Sequence, residues 1–301
     1  GWVLAQDLSS EDAIRSSAGQ LAAHIDSDDD VDLCRFLGLL VGDGSYSQTH
    51  VSLSISETEI DEFACAAAEK FGLTAKKKID KRTAKVWSRS FTRSTKKGAP
   101  LRNPLHTLLR EQGVWGKNGH TKRVPPIVWQ SGIKGRAAFL SGYFDADGHA
   151  RNGSAVWTSV NRKLLEDCQI LMESLGIRAQ IHSYEYQYEG QKAPHRPQPT
   201  NQLIVSHKHH LEIANGLLFP LVDRKAKALS DIARPPVRNT RPNFDNVEWD
   251  VVQSVSEVGG GDIVTLGISQ HHTHVTAGLV SHNTLNLRDE STERAFIAQL
   301  K

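Results

Sequence analysis

"LSGYFDADGHA", Leu140–Ala150, is the stretch on which the fold turns, because its pattern occurs twice. The earlier copy is "FLGLLVGDGS", Phe36–Ser45. Aligned, Gly38 matches Gly142, Asp43 matches Asp147 and Gly44 matches Gly148. Both copies read as an apolar helix ending at Asp-Gly, where glycine suits a left-handed residue just past the helix. Gly38 and Gly142 fall mid-helix and cost about 1 kcal/mol each in propensity. That cost is tolerable if two helices must approach closely. Packed side by side, their C-terminal ends would bring Asp43 and Asp147 together.

Matching elements surround the two copies. "VWSRSFT" and "NQLIVSH" read as strands, and "LLEDCQILMESLGI" has helical apolar spacing at Leu164, Cys168, Leu171 and Leu175. Two pseudo-equivalent α/β halves are the simplest organisation. The flanks differ. "GWVLA" at the start is strand-like, and "ARPPVRNTRPN", Ala233–Asn243, is a proline-rich linker. Beyond it "WDVVQSVSEV" and "DIVTLGIS" alternate with period two, as strands do. Glu290–Leu300 reads as a short helix with Ala295, Phe296 and Leu300 on one face.

Of 301 residues, 39% are hydrophobic and 23% charged, as in an ordinary soluble protein. No run of about eighteen apolar residues spans a membrane, and no secretory signal is visible. Cys34, Cys65 and Cys168 lack metal spacing and read as reduced core residues, which predicts a cytoplasmic protein. The net charge of +2 hides an asymmetry. From Lys70 to Arg123 there are sixteen Lys/Arg against two acids, Asp80 and Glu111. Trp87, Phe91 and Trp115 are interleaved, so this is a folded basic surface, which favours nucleic acid. The candidate contacts are Lys76, Lys77, Lys78, Lys81, Arg82, Lys85, Arg89 and Arg93.

Two carboxylates at paired helix ends beside a basic surface suit hard divalent cations such as Mg²⁺. "LSGYFDADG" resembles the LAGLIDADG motif of homing endonucleases, and "FLGLLVGDG" resembles its more degenerate first copy. The resemblance implies an α+β fold, a saddle of two αββαββα repeats straddling double-stranded DNA. It implies metal binding at Asp43 and Asp147, with Gly42 and Ala146 beside them, two or more divalent ions, and a monomer. A lysine in the segment before the second motif often assists catalysis in that family, which points to Lys122. Lys208 is the candidate in the second half. Val41 stands where the consensus has an acid, and its match is Asp145.

"DIVTLGISQHHTHVTAGLVSHNT" resembles the C-terminal splicing blocks of an intein, and "GWVLAQDLSSEDAI" the stretch after its second N-terminal block. Asn283 can cyclise onto its own carbonyl and break the bond to Thr284. His282 can stabilise the oxyanion, His272 can serve as acid or base, and Thr284 supplies the hydroxyl that takes over the upstream acyl chain. Thr265 replaces an acid that many inteins carry. The expected domains are an incomplete all-β Hint splicing domain in 1–25 and 247–283 and a nuclease in 26–235. A linker in 236–246 and a downstream host segment in 284–301 complete them. The first splicing step would need an N-terminal intein segment as partner. The rival expectation is a non-catalytic DNA- or RNA-binding protein on the same scaffold.

Overall fold

The computed structural model describes residues 7–15, 30–46, 50–79, 85–93, 102–186, 198–233, 249–259, 273–276, 279–282 and 295–300. The chain divides into two compact units, 1–21 with 240–301, and 22–239. Strand β1 (Ala13–Arg15) belongs to the first.

The second unit begins with α1 (Val31–Asp43), β2 (Gly44–Tyr46), β3 (Val51–Ile55), α2 (Thr58–Lys70), β4 (Leu73–Ile79), β5 (Trp87–Arg93) and α3 (Pro104–Glu111). After the short α4 (Pro126–Gln130) the same order returns. It runs α5 (Ile133–Asp147), β6 (Gly148–Arg151), β7 (Ser154–Ser159), α6 (Arg162–Glu173), β8 (Gln180–Tyr186), β9 (Gln198–Val205) and α7 (Lys208–Leu217). An additional helix, α8 (Asp223–Ala233), follows. The antiparallel sheets have the same order, β2-β3-β5-β4 and β6-β7-β9-β8. Two αββαββα repeats are therefore present, and the strands and helix read from sequence at Trp87–Arg93, Gln198–Val205 and Arg162–Glu173 are among them.

Helices α1 and α5 form the seam between the repeats. Phe36, Leu40, Leu140, Tyr143 and Phe144 are fully buried there, which accounts for the apolar run in each motif copy. A Cβ on Gly38 would lie 2.2 Å from the Phe139 carbonyl oxygen and 2.8 Å from the Tyr143 nitrogen. One on Gly142 would lie 2.2 Å from the Arg35 carbonyl oxygen. Each glycine thus admits the backbone of the opposite helix.

The glycines after the helices have another reason than the one expected. Gly44 (φ −79°, ψ 147°) and Gly148 (φ −102°, ψ 157°) are extended, not left-handed, because each helix runs directly into a strand. Packing dictates glycine: a Cβ would meet the Leu40 carbonyl oxygen or the Phe144 ring at 2.2 Å.

The first unit resumes with β10 (Trp249–Gly259), β11 (Thr273–Thr276), β12 (Leu279–His282) and β13 (Ala295–Leu300). β1-β10-β13 form one antiparallel sheet and β11-β12 a second, two-stranded one. The helix expected in Glu290–Leu300 is corrected: Ala295–Leu300 is a strand paired along β10. A helix this short is marginal alone, while the edge of β10 offers its backbone an antiparallel ladder, interrupted by two register shifts. "GWVLA" and "DIVTLGIS" lie outside the described residues.

Gly38→Ala should cost about 1–3 kcal/mol by overpacking the seam. Gly216→Ala, facing open space in α7, should gain on the order of 0.5–1 kcal/mol from helix propensity. Urea unfolding measures both. A Gly38→Ala protein as stable as wild type would contradict the close approach.

Candidate functional site

α1 and α5 end beside each other, exposing the carboxylates of Asp43 and Asp147. The absence of a side chain on Gly42 makes room, since a Cβ there would be 3.3 Å from Asp147 Oδ2 and 2.3 Å from Ala146 Cβ. Helix C-termini carry partial negative charge, and neither last turn contains a basic residue. Positive charge comes instead from two buried lysines distant in sequence.

Lys122 Nζ lies within donating distance of the carbonyls of Leu40 (3.1 Å), Val41 (2.8 Å), Gly42 (3.2 Å) and Gly44 (2.7 Å). It also sits 4.9 Å from the centre of the Tyr46 ring. Lys225 Nζ does the same for α5, at the carbonyls of Phe144 (2.9 Å), Asp145 (2.7 Å) and Ala146 (3.4 Å). Residues 144–146 match 40–42 in the repeat, so the two lysines are structural equivalents. Lys225 was not legible from charge patterning. The repeat offers one signal: the offset from Asp43 to Asp147 carries Lys122 to within one residue of Lys225. Lys208 is the sequence candidate for the second half. It opens α7 at 4.0 Å from Glu212, one turn on, and does not join the helix-end cluster.

The two motif copies differ at Val41 and Asp145 for a visible reason. Val41 packs in the core. Asp145 accepts from the amides of Leu221 (2.7 Å) and Val222 (3.1 Å), just before α8, which carries Lys225. Its acid thus seats an element that follows only the second repeat. Lys122 is held differently. Asn161 Nδ2 donates to its carbonyl at 2.6 Å. Arg123 next to it pairs with both oxygens of Asp167 (2.6 and 2.5 Å), which also accepts from the Val124 amide.

Electrostatics follow from this crowding. Asp147 keeps one side open to solvent, yet partial loss of hydration against the packed helix ends, reinforced by the Asp43 charge, pushes it up to about 6, against the pull of Lys122 and Lys225. Asp43 is raised too, mainly by desolvation. Burial brings Lys122 down to about 8 although both acids oppose it, and Lys225 is lowered for the same reason. Two carboxylates at two helix C-termini fit a hard divalent cation with oxygen ligands. Asp43 and Asp147 would hold it. The Gly42 and Ala146 carbonyls make the longest lysine contact of each set. Among the described residues no cluster of three or more His, Cys, Asp or Glu forms a metal site, so water would have to complete the coordination.

The basic candidates divide by strand parity. On β4 and β5, Thr74, Lys76, Lys78, Ser88, Ser90 and Thr92 alternate away from the buried face marked by Leu73 and Phe91. Lys76 and Lys78 are exposed. Arg89 and Lys77 belong to the other face: Arg89 forms a two-pronged pair with Asp61 of α2 (2.6 and 2.7 Å), with Lys77 at 4.0 Å. Lys85 and Arg93 are exposed, while Lys81 and Arg82 lie outside the described residues. The corresponding face of the second sheet carries His149, Arg151, Ser154, Thr158, Gln180, His182, Tyr184 and Gln202. No described side chain of either face is a carboxylate. In the first unit the β11-β12 ladder sets Thr273 opposite His282. His272, Asn283, Thr284 and Thr265 lie outside the described residues.

Residues 134–216 match the LAGLIDADG-like domain. That segment contains the second motif copy and most of the second repeat. A translation initiation factor IF-2 of Thermococcus kodakarensis is 28% identical over 152 residues, 49% of this chain and 12% of that protein. The ribonucleoside-diphosphate reductase NrdEB subunit alpha of Bacillus subtilis is 21% identical over 280 residues, 84% of this chain and 25% of that protein. The chain therefore spans a quarter or less of these curated relatives. Among solved structures, I-DmoI in complex with DNA and Ca is 14% identical, with 67% of this chain and 98% of that one covered and a TM-score of 0.44.

The raised pKa of Asp147 has a thermodynamic consequence. The folded protein holds this proton more tightly than the unfolded chain, whose value is 3.8. Its contribution is most favourable below about pH 4, falls as pH rises to 6 and then levels off. Asp147→Asn should flatten that part of the stability–pH profile and raise Tm at pH 7. Thermal melts across pH 4–8 test this, and identical slopes would refute it.

Proposed function

We propose that the chain is a metal-dependent endonuclease of double-stranded DNA carried within an intein. The observation that carries the nuclease reading is the pairing of Asp43 and Asp147 above two buried lysines, where each helix enters the first strand of a carboxylate-free sheet face. The sheet faces bind the duplex. Lys76 and Lys78 meet phosphates on one side, and Arg151, Gln180, His182 and Gln202 supply longer polar groups on the other. Asp43 and Asp147 hold the cation, whose chemistry when bound is to neutralise charge on the phosphodiester and acidify a water. Lys122 and Lys225 keep positive charge under both helix ends, and Lys122, with its pKa near 8, can hold or release a proton close to neutrality.

Incubation with a pool of randomised duplexes and Mg²⁺ should yield double-strand cuts at a long preferred site. Asp147→Asn should slow cutting by more than the roughly 10–100-fold typical of losing an outer-shell partner of a metal ligand, while retaining binding. If wild type binds duplex with Mg²⁺ present and never cuts it, the non-catalytic rival is the correct reading.

The intein reading rests on the "SHNT" chemistry and on what the relatives have in common. An initiation factor and a reductase subunit share no activity, yet each contains a segment like this chain at a quarter or less of its length. An inserted element accounts for that. The reductase match is also longer than the span 22–239, so it includes sequence outside the nuclease unit. Mass spectrometry should detect cleavage after Asn283 when an N-terminal splicing segment is supplied. Under the same conditions Asn283→Ala should leave the chain intact. Equal behaviour of the two proteins would remove the splicing claim.

A further inference from the structure

The basic block between Lys70 and Arg123 is not absorbed by the sheet face. Lys70 pairs with Asp32, Lys77 and Arg89 with Asp61, and Arg123 with Asp167. Lys122 is spent on the end of α1. Arg93, Arg102 and Arg110 gather with His50 and His106 around one cleft of about 580 Å³, where Glu111 is the one acid among the described lining residues. Such a volume lies in the range of small-ligand sites.

Two of these groups are anchored on an aromatic that cannot neutralise them. The His106 and Trp115 rings are 4.6 Å apart, and the Arg110 guanidinium is 5.0 Å from the same indole. Asn103 is occupied in capping α3, accepting from the Leu105 and His106 amides. Burial, Arg110 and His50 together drive the His106 pKa down, so His106 favours its neutral form and the arginines carry the positive charge of the lining, with Glu111 opposite in sign. Thr92 lines the cleft and also ends the outward row Ser88, Ser90, Thr92 of β5. The cleft therefore opens where that sheet face stops.

We propose that this cleft binds phosphate groups, those of a DNA backbone continuing past the first sheet. The choice of DNA as their source rests on the function proposed above. A free phosphate compound presents the same chemistry, so the test separates the two. Arg102 and Arg110 are exposed, and Arg102→Gln combined with Arg110→Gln keeps side-chain length while removing charge.

Calorimetric titration with inorganic pyrophosphate should show saturable binding to the intact chain, weakened ten-fold or more in the double variant. The dependence of duplex affinity on salt should fall in slope by about 2, at ~0.9 per lost phosphate contact. Lys76→Gln with Lys78→Gln should lower the duplex slope and leave pyrophosphate binding unchanged. Loss of pyrophosphate binding with an unchanged duplex slope would mean a free phosphate compound, overturning DNA as the source. Absence of pyrophosphate binding in wild type together with an unchanged slope would overturn the site. A wild-type chain that binds pyrophosphate through these arginines but no duplex at any salt would leave the cleft standing and remove the proposed function.

Discussion

The close approach of the α1 and α5 backbones at Gly38 and Gly142 is the constraint on which the second unit depends. It requires glycine at one position in each helix, because each would-be Cβ falls on a carbonyl of the other. Around that contact the helices must be apolar on nearly every side, and the fully buried Phe36, Leu40, Leu140 and Phe144 meet this requirement. The same contact also brings two helix ends and two carboxylates together. Hydrophobic packing, not attraction, assembles a patch of like charge.

That patch is held by cations placed on the carbonyls rather than on the carboxylates. Lys122 and Lys225 each satisfy helix-end oxygens that the helix cannot satisfy itself. Asp43 and Asp147 are thereby left facing outward, with raised pKa values and incomplete neutralisation. A group at about 6 and another at about 8 lie on either side of neutrality. Small changes in local charge can then shift protons between ordinary states.

The duplicated Asp-Gly helix made the repeat architecture and the paired acids legible, since period and spacing are properties of the chain itself. The strands at Trp87–Arg93 and Gln198–Val205 were legible for the same reason. Ala295–Leu300 was not, because a short apolar run satisfies either period and only the available edge of β10 decides it. Gly44 and Gly148 were identified correctly as required glycines but for the wrong physical cause, as steric contacts across a turn leave no mark in sequence. Lys225 escaped notice, and Asp145 was noted only as the match of Val41, because their function is to reach backbone atoms distant in the chain. Charge counting located the basic block but could not show that Asp61 and Asp167 consume part of it.

The means by which Lys122 is held makes the two repeats unequal. The lysine that completes the first helix is fixed by Asn161 and, through Arg123, by Asp167, all belonging to the later repeat or the segment before it. The lysine that completes the second helix arrives on α8, seated by the later repeat's own Asp145. The later repeat thus supplies the supports for both cations, and the earlier one borrows its own. Any rearrangement that separated the halves, or paired two copies of the first, would produce a seam with its carbonyls uncovered. The second unit is a duplication in element order and a hierarchy in dependence.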